Sequence, residues 1–297
     1  MNLAVNKKLK LKAYAPAKIN LGLEILSKRP DGYHNVDMIM QSINLFDEVT
    51  LEETFDGKIS VFNEKNTYCP QNEDIAFKCA DLFFKETKVP FSGIKIEIKK
   101  NIPISAGLAG GSADGAAVLM LLNRMYDEKV SLDGLLGIGG KIGADIPFCI
   151  LGGTARASGK GTEIKKIPAF NDYFLVLTKP GISVCTKNAY SLFDSAQIKN
   201  FKSFEKMEES LKNANFSGFS GSIFNRFEEL VQSSEVFNIK KKMLGLGAVS
   251  SLMSGSGPSV YGVFKDETTA LKCLSEVKKF YPQTFLCRPI DHGVKII

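Results

Sequence analysis

Lys18 and Asp145 are the residues of this 297-residue chain best suited to proton chemistry on a hydroxyl. Activating an alcohol for phosphoryl transfer calls for a carboxylate within hydrogen-bond reach of the oxygen. It also calls for a nearby cation that keeps the carboxylate ionised and neutralises developing charge. Asp145 lies in Gly143-Ala144-Asp145-Ile146-Pro147-Phe148. There it reads either as that carboxylate or as an N-cap aspartate ahead of a proline in a first helical turn. Lys18 has compact neighbours, Pro16, Ala17 and Ile19, unlike Lys8, Lys10 and Lys12. It reads either as the cation or as a solvated strand lysine.

A second chemical signal is the stretch Pro103-Ile104-Ser105-Ala106-Gly107-Leu108-Ala109-Gly110-Gly111-Ser112-Ala113-Asp114. Its small residues let the backbone approach a polyphosphate, and successive N–H groups at a helix start supply donors and the positive end of the helix dipole. Ser112 is placed to cap the helix or to reach a phosphate or its metal. The Gly-Lys-Ser or Gly-Lys-Thr ending of a Walker A loop is absent, as is Gly-x-Gly-x-x-Gly inside a parallel unit. An ordinary tight loop capped by Ser112 stays open as the plain alternative. A third glycine-rich element, Ser254-Gly255-Ser256-Gly257-Pro258-Ser259, joins two expected strands and reads as a hairpin loop or as a set of N–H donors.

The elements that must position these groups follow from periodicity. Polar and apolar residues alternate over 17–25, with Ile19, Leu21, Leu23 and Ile25 on one face and Lys18, Asn20 and Glu24 on the other. That predicts a half-buried strand on which Lys18 and Asn20 project side by side. Strands are also expected at 48–52 and 94–98, and helices at 74–85 and 114–125. No repeated parallel crossover unit is present, so the first half is mixed α and β. After the glycine-rich residues 152–161 the order is strand (174–178), helices (186–244), strand (249–253), strand (260–264), helix (268–280), strand (284–288). This is a ferredoxin-like pattern with inserted helices. The expectation is an α+β chain of two lobes, 1–160 and 161–297, with a site in the cleft between them.

Composition narrows the partners. With 44% hydrophobic residues the chain can bury a large core. A net charge of +6 is modest for the length, and no basic run is interleaved with aromatics as a nucleic-acid groove requires. Clusters such as Lys240, Lys241 and Lys242 read as solvated helix faces. The six cysteines, at 69, 79, 149, 185, 273 and 287, form no Cys-x-x-Cys pair and lack companion histidines. They indicate neither a zinc site nor a disulfide framework, and no metal-ligating residues are assigned. Reduced thiols, no signal segment and no run of about 18 apolar residues point to a cytoplasmic, unexported protein without a membrane partner.

Taken together, Pro-Ala-Lys-Ile-Asn-Leu at 16–21, the cradle at 103–114 and Ser-Gly-Ser-Gly-Pro-Ser at 254–259 resemble the GHMP kinase superfamily in order and spacing over nearly the whole chain. Lys28-Arg29-Pro30-Asp31-Gly32-Tyr33-His34 is similar to the acceptor segment of one branch, whose alcohol is a cytidine diphosphate-linked methylerythritol of the non-mevalonate isoprenoid route. It differs from the corresponding segment of homoserine, mevalonate and galactose kinases; homoserine or mevalonate is the alternative acceptor. The resemblance implies a ribosomal-protein-like N-terminal lobe, a ferredoxin-like C-terminal lobe, and ATP with Mg²⁺ held along residues 103–113. It also implies Lys18 and Asp145 as the catalytic pair, Asp145 taking the proton from the acceptor 2-hydroxyl. Asn20 contacts the acceptor beside Lys18, and His34 reads the edge of the cytosine. Tyr33 and Tyr190 stack on its two faces, Thr186 lies near the hydroxyls, and Gly255, Ser256 and Gly257 sit near the acceptor phosphates. Many relatives carry glycine where Ser105, Ala106 and Ala109 stand, which narrows the backbone freedom of this loop. Small molecules are the expected partners of a monomer or weak homodimer. The contrasting possibility is a non-catalytic nucleotide or RNA binder, because that N-terminal architecture also occurs in nucleic-acid proteins.

Overall fold

The computed structural model describes residues 9–64, 70–168 and 171–297; the basic stretch through Lys8 and Cys69 fall outside them. The described residues begin with two long strands, β1 (Lys10–Lys28) and β2 (His34–Glu53), joined by a tight connection. There follow β3 (Ile59–Asn63), α1 (Ile75–Thr87), β4 (Ile94–Lys99) and α2 (Gly110–Met125). Next come α3 (Leu132–Ile142), α4 (Ile146–Leu151), β5 (Thr154–Ser158) and β6 (Glu163–Lys166). The later part holds β7 (Phe174–Thr178), α5 (Thr186–Ser195), α6 (Glu205–Lys212), α7 (Phe216–Ser220), β8 (Phe224–Asn225) and α8 (Arg226–Val231). It ends with α9 (Ser234–Gly245), β9 (Ser250–Met253), β10 (Val260–Phe264), α10 (Glu267–Lys278), β11 (Thr284–Cys287) and β12 (Lys295–Ile296).

The first sheet runs β12-β1-β2-β4-β3. Its long strand β2 pairs with β5 through residues 38–41 and with β4 through residues 48–53, and β6 extends β5. From late in the chain β8 pairs in parallel with β1, and β12 pairs with its antiparallel edge. The second sheet is fully antiparallel in the order β11-β7-β10-β9. With α9 and α10 beside it, this is the ferredoxin-like order expected from the sequence.

Alternation over 17–25 correctly marked a strand but not its burial. The strand is buried on both faces, Lys18, Asn20 and Glu24 included. Register shifts at Pro16/Lys18 and Asn20/Gly22 break the simple alternation. As a result Ile19 and Leu21 join one apolar cluster while Leu23 and Ile25 join another. The helix expected at 114–125 starts four residues earlier, at Gly110. Its N-cap is Ala109 in a left-handed conformation, so Ser112 sits in the first turn and does not cap it. Propensity alone would not extend a helix into Gly-Gly-Ser, and the space there is close: a Cβ at Gly110 would stand 3.0 Å from Ile102 and one at Gly111 3.2 Å from Ile75. Around Lys240, Lys241 and Lys242 the helix face is partly covered. Lys240 pairs with Glu228, and Lys242 lies 3.6 Å from the centre of the Phe280 ring.

Candidate active site

A cleft of about 1070 Å³ is lined at one end by the loop 103–112 and at the other by the β1–β2 connection and α5. The loop follows β4 and turns through three left-handed residues, Ser105 (φ 52°), Gly107 (φ 74°) and Ala109 (φ 56°). Alternating hands of this kind turn backbone N–H groups inward and make an anion-binding concavity. The first amides of α2 have no acceptor inside their own helix and add to it. Ser105 and Ala109 hold conformations that glycine takes more easily, at a cost of about 1–2 kcal/mol each. Contacts from the second sheet offset that cost: Ser259 N–H donates to the Ala106 carbonyl at 3.3 Å and the Ser254 hydroxyl to the Gly107 carbonyl at 3.0 Å.

Lys18 is fixed to this loop through its backbone, its N–H donating to the Leu108 carbonyl at 3.1 Å. Its ammonium donates to Asn20 Oδ1 at 2.7 Å and lies 3.7 Å from Asp145 Oδ2. Only 6% of its side chain is exposed, so it is no solvated strand lysine. Asp145 stands at the start of α4, yet its side chain makes no capping bond. Its carboxylate is 32% exposed and lines the cleft, facing a cation instead of the helix amides. Asn20 is held on several sides: its N–H donates to Ser254 Oγ, its carbonyl accepts from the Tyr261 hydroxyl at 2.9 Å, and its side-chain amide approaches Met38 Sδ.

At the far end, Tyr33 projects from the hairpin connection, 59% exposed, with the Lys160 ammonium 5.6 Å from its ring centre. His34 turns inward and is 7% exposed. Its imidazole lies directly on the Tyr190 ring, centroids 4.6 Å apart and planes 16° off parallel, and its Nε2 is 2.7 Å from Asp194 Oδ1. Burial first, then the charge of Asp145, pushes the Tyr190 phenol up to about 12, so it stays neutral. Thr186 and Ser256 share a hydrogen bond of 2.7 Å between their hydroxyls, and Asn225 holds the Met253 and Gly255 carbonyls. The arrangement therefore gathers Lys18, Asn20 and Asp145 with the glycine-rich loop and the Thr186–Ser256 pair, while Tyr33 stands apart on the rim. Among the described residues no cluster of three or more His, Cys, Asp or Glu could hold a metal.

Residues 74–153 match the GHMP kinases N terminal domain and residues 197–283 the GHMP kinases C terminal domain. The 4-diphosphocytidyl-2-C-methyl-D-erythritol kinase of Clostridium beijerinckii is 40% identical over 95% of this chain and 100% of its own length. The chain belongs to that kinase family. The enzyme of the same name from Alkaliphilus metalliredigens is 38% identical over 94% of this chain and 96% of its own. A crystal structure of a 4-(cytidine 5'-diphospho)-2C-methyl-D-erythritol kinase superposes with a TM-score of 0.79 at 27% identity, covering 95% of this chain and 100% of that one. A homoserine kinase from Cytophaga hutchinsonii superposes at 0.77 with 19% identity, covering 100% of both chains, a likeness of fold alone.

The 4-diphosphocytidyl-2-C-methyl-D-erythritol kinase fold also contains groups that the sequence did not single out. Beneath the start of α2, the buried Lys100 ammonium binds both Asp47 and Asp114, the latter at 2.6 Å. Asp47 further accepts from the Asn101 and Ile102 amides at 2.6 and 2.8 Å, which anchors the entry to the loop. Lys100, just after a strand, carries no local sign of burial, and Asp114 stood out only as the end of the glycine-rich stretch and the start of a helix. Only their meeting, 14 and 53 positions apart, marks them as a buried unit. Asp194 was missed because α5 looks like an ordinary amphipathic helix until its fold against β2 is known.

Proposed function

We propose that this chain transfers the γ-phosphoryl group of ATP to the 2-hydroxyl of 4-diphosphocytidyl-2-C-methyl-D-erythritol, in the non-mevalonate route to isoprenoid precursors. The observation that carries this reading is the position of the Lys18–Asp145 pair, 3.7 Å apart, in one cleft with the glycine-rich helix start and the His34–Tyr190 stack. Residues 103–113 hold the ATP phosphates through backbone N–H groups. Asp145 accepts the proton of the attacking hydroxyl, and Lys18, 3.7 Å from its carboxylate, offsets charge that builds on the transferring group. Asn20, expected to touch the acceptor, has no exposed surface and does not line the cleft; it acts from behind by orienting Lys18. Mg²⁺ enters as the complex with ATP, in keeping with its habit of binding phosphates and retaining waters. Lys18, Asp145 and Asn20 all issue from the part of the chain before residue 160, which we read as the lobe carrying the ATP cradle and the cytidine site. Most of residues 161–297 make up its partner lobe, although β6, β8 and β12 return to the first sheet, and this part contributes Thr186, Tyr190 and the loop at Gly255, Ser256 and Gly257.

On the acceptor side His34 meets the edge of the base, Tyr190 and Tyr33 provide ring surfaces, and Lys28, Lys160 and Lys187 line the cleft where a diphosphate would need cations. Among the described residues no helix is long and apolar enough to cross a membrane. A cytoplasmic enzyme of small molecules, monomeric or weakly dimeric, fits this picture. The test is direct. Pure protein with ATP and Mg²⁺ should phosphorylate the cytidylyl alcohol and leave homoserine and mevalonate untouched; turnover of either control in preference to it would overturn the assignment.

A further inference from the structure

Resting on the reading of this cleft as a cytidine site, we propose that Asp194 sets the preference for cytosine over uracil by fixing the tautomer of His34. The two residues meet through a helix repeat. Tyr190 and Asp194 are four positions apart on α5 and so share one face of the helix. From that face the Tyr190 ring covers the imidazole plane of His34, while the Asp194 carboxylate meets its Nε2 at 2.7 Å. Phe193 closes the remaining side, its ring edge-on to His34 at 5.6 Å and 87°. The imidazole can therefore neither swing nor flip without leaving three contacts.

A carboxylate has no proton to give, so Nε2 must carry the hydrogen of this bond. Asp194 is held ionised: the Lys28 ammonium at 2.5 Å and then the His34 bond itself keep its carboxyl below the usual range. In the neutral ring, Nδ1 is then a bare acceptor, and it makes no hydrogen bond to any described residue. An acceptor suits the exocyclic amino group of cytosine. It opposes the carbonyl oxygen that uracil presents at the same place, because two acceptors then face each other without a proton between them. No covalent step is involved; the discrimination is a matter of which atom bears one hydrogen.

Two measurements test this. In the wild-type protein, nitrogen NMR of the histidine rings, of which the chain has two, should show His34 protonated on Nε2 and not on Nδ1; the opposite tautomer overturns the proposal without any variant. Calorimetric binding of cytidine diphosphate and uridine diphosphate should favour cytidine by about tenfold or more. That ratio should collapse in Asp194→Ala and largely survive in Asp194→Asn, whose amide oxygen can still accept from Nε2–H. KM for ATP should stay unchanged throughout. A ratio retained in Asp194→Ala sinks the role of Asp194 while leaving the kinase reading intact. Failure of the wild type to phosphorylate the cytidylyl alcohol would instead sink the reading beneath it.

Discussion

The Ser254 hydroxyl donates to the carbonyl of Gly107 at 3.0 Å, and the same oxygen accepts from the Asn20 amide at 3.3 Å. One serine between β9 and β10 thus ties the phosphate loop to the strand that carries Lys18. The closeness of this seam makes Gly107 sensitive. A Cβ there would stand 2.1 Å from the Ser254 carbonyl oxygen, and the residue holds φ at +74°. Gly107→Ala must therefore part the two loops as well as bear left-handed strain of about 1–2 kcal/mol. We expect KM for ATP to rise by about tenfold or more, with a lower melting temperature. An alanine variant with unchanged ATP kinetics would show that the seam does not shape the nucleotide site.

Asp145→Asn keeps the size of the side chain and removes its capacity to take a proton. If Asp145 is the base, kcat should fall by about 10²–10⁴-fold while KM for ATP changes by no more than about twofold. Steady-state kinetics with the cytidylyl alcohol decide it, and near-normal kcat would remove Asp145 from the mechanism.

The legibility of this site divides along physical lines. That Lys18 and Asn20 project side by side from a strand, and that the small residues of 103–113 lead into a helix, was visible because these features are local. The strands of the second sheet were equally plain, since each is a short apolar run bounded by turns. Strands β3, β5, β6, β8 and β12 left little trace, being short, polar or paired only through distant partners. The same is true of Asp47, Asp114, Glu24 and Asp194, whose roles arise when residues remote in sequence are brought into contact. The bulges of β1 belong here as well. They divide its apolar side chains between two clusters, and periodicity cannot register a residue that opens the pattern from within.

Asp114 offers a test by pH. Burial is the main influence on it and raises its carboxyl well above the usual range, although Lys100 pulls the other way; its Oδ1 also lacks a hydrogen-bond partner. The folded protein therefore holds this proton more tightly than the unfolded chain, whose aspartate titrates near about 3.9. Stability from this group is present at low pH and is lost as pH rises through the folded-state value. Asp114→Asn, which does not titrate, should gain on the wild type as pH increases. Urea unfolding at a mildly acidic and a mildly alkaline pH would show the widening difference; parallel stability curves for the two proteins would contradict it.

A last prediction concerns the buried pair that joins β1 to the inserted helices. Glu24 has no exposed surface and accepts from Arg226 Nε at 2.7 Å, Arg226 Nη2 at 2.6 Å and the Lys202 amide at 2.8 Å. Arg226 also donates to the Asn200 carbonyl, so one guanidinium draws residues 200–202 and α8 onto the strand. Arg226→Met fills similar volume but leaves the carboxylate buried with a single amide from outside its own strand, at a cost of about 3–5 kcal/mol. Replacing both partners, as Glu24→Leu with Arg226→Met, should recover most of that loss, since the expense lies in the unpaired charge and not in the absence of the pair. The effect should reach the acceptor site. Asn225, adjacent to Arg226, holds the Gly255 carbonyl at 2.8 Å, and loosening α8 should raise KM for the acceptor more than KM for ATP. Denaturant unfolding of the single and double variants, with both KM values, tests each part; a double variant as unstable as Arg226→Met would mean that the helices are held by something other than this charge pair.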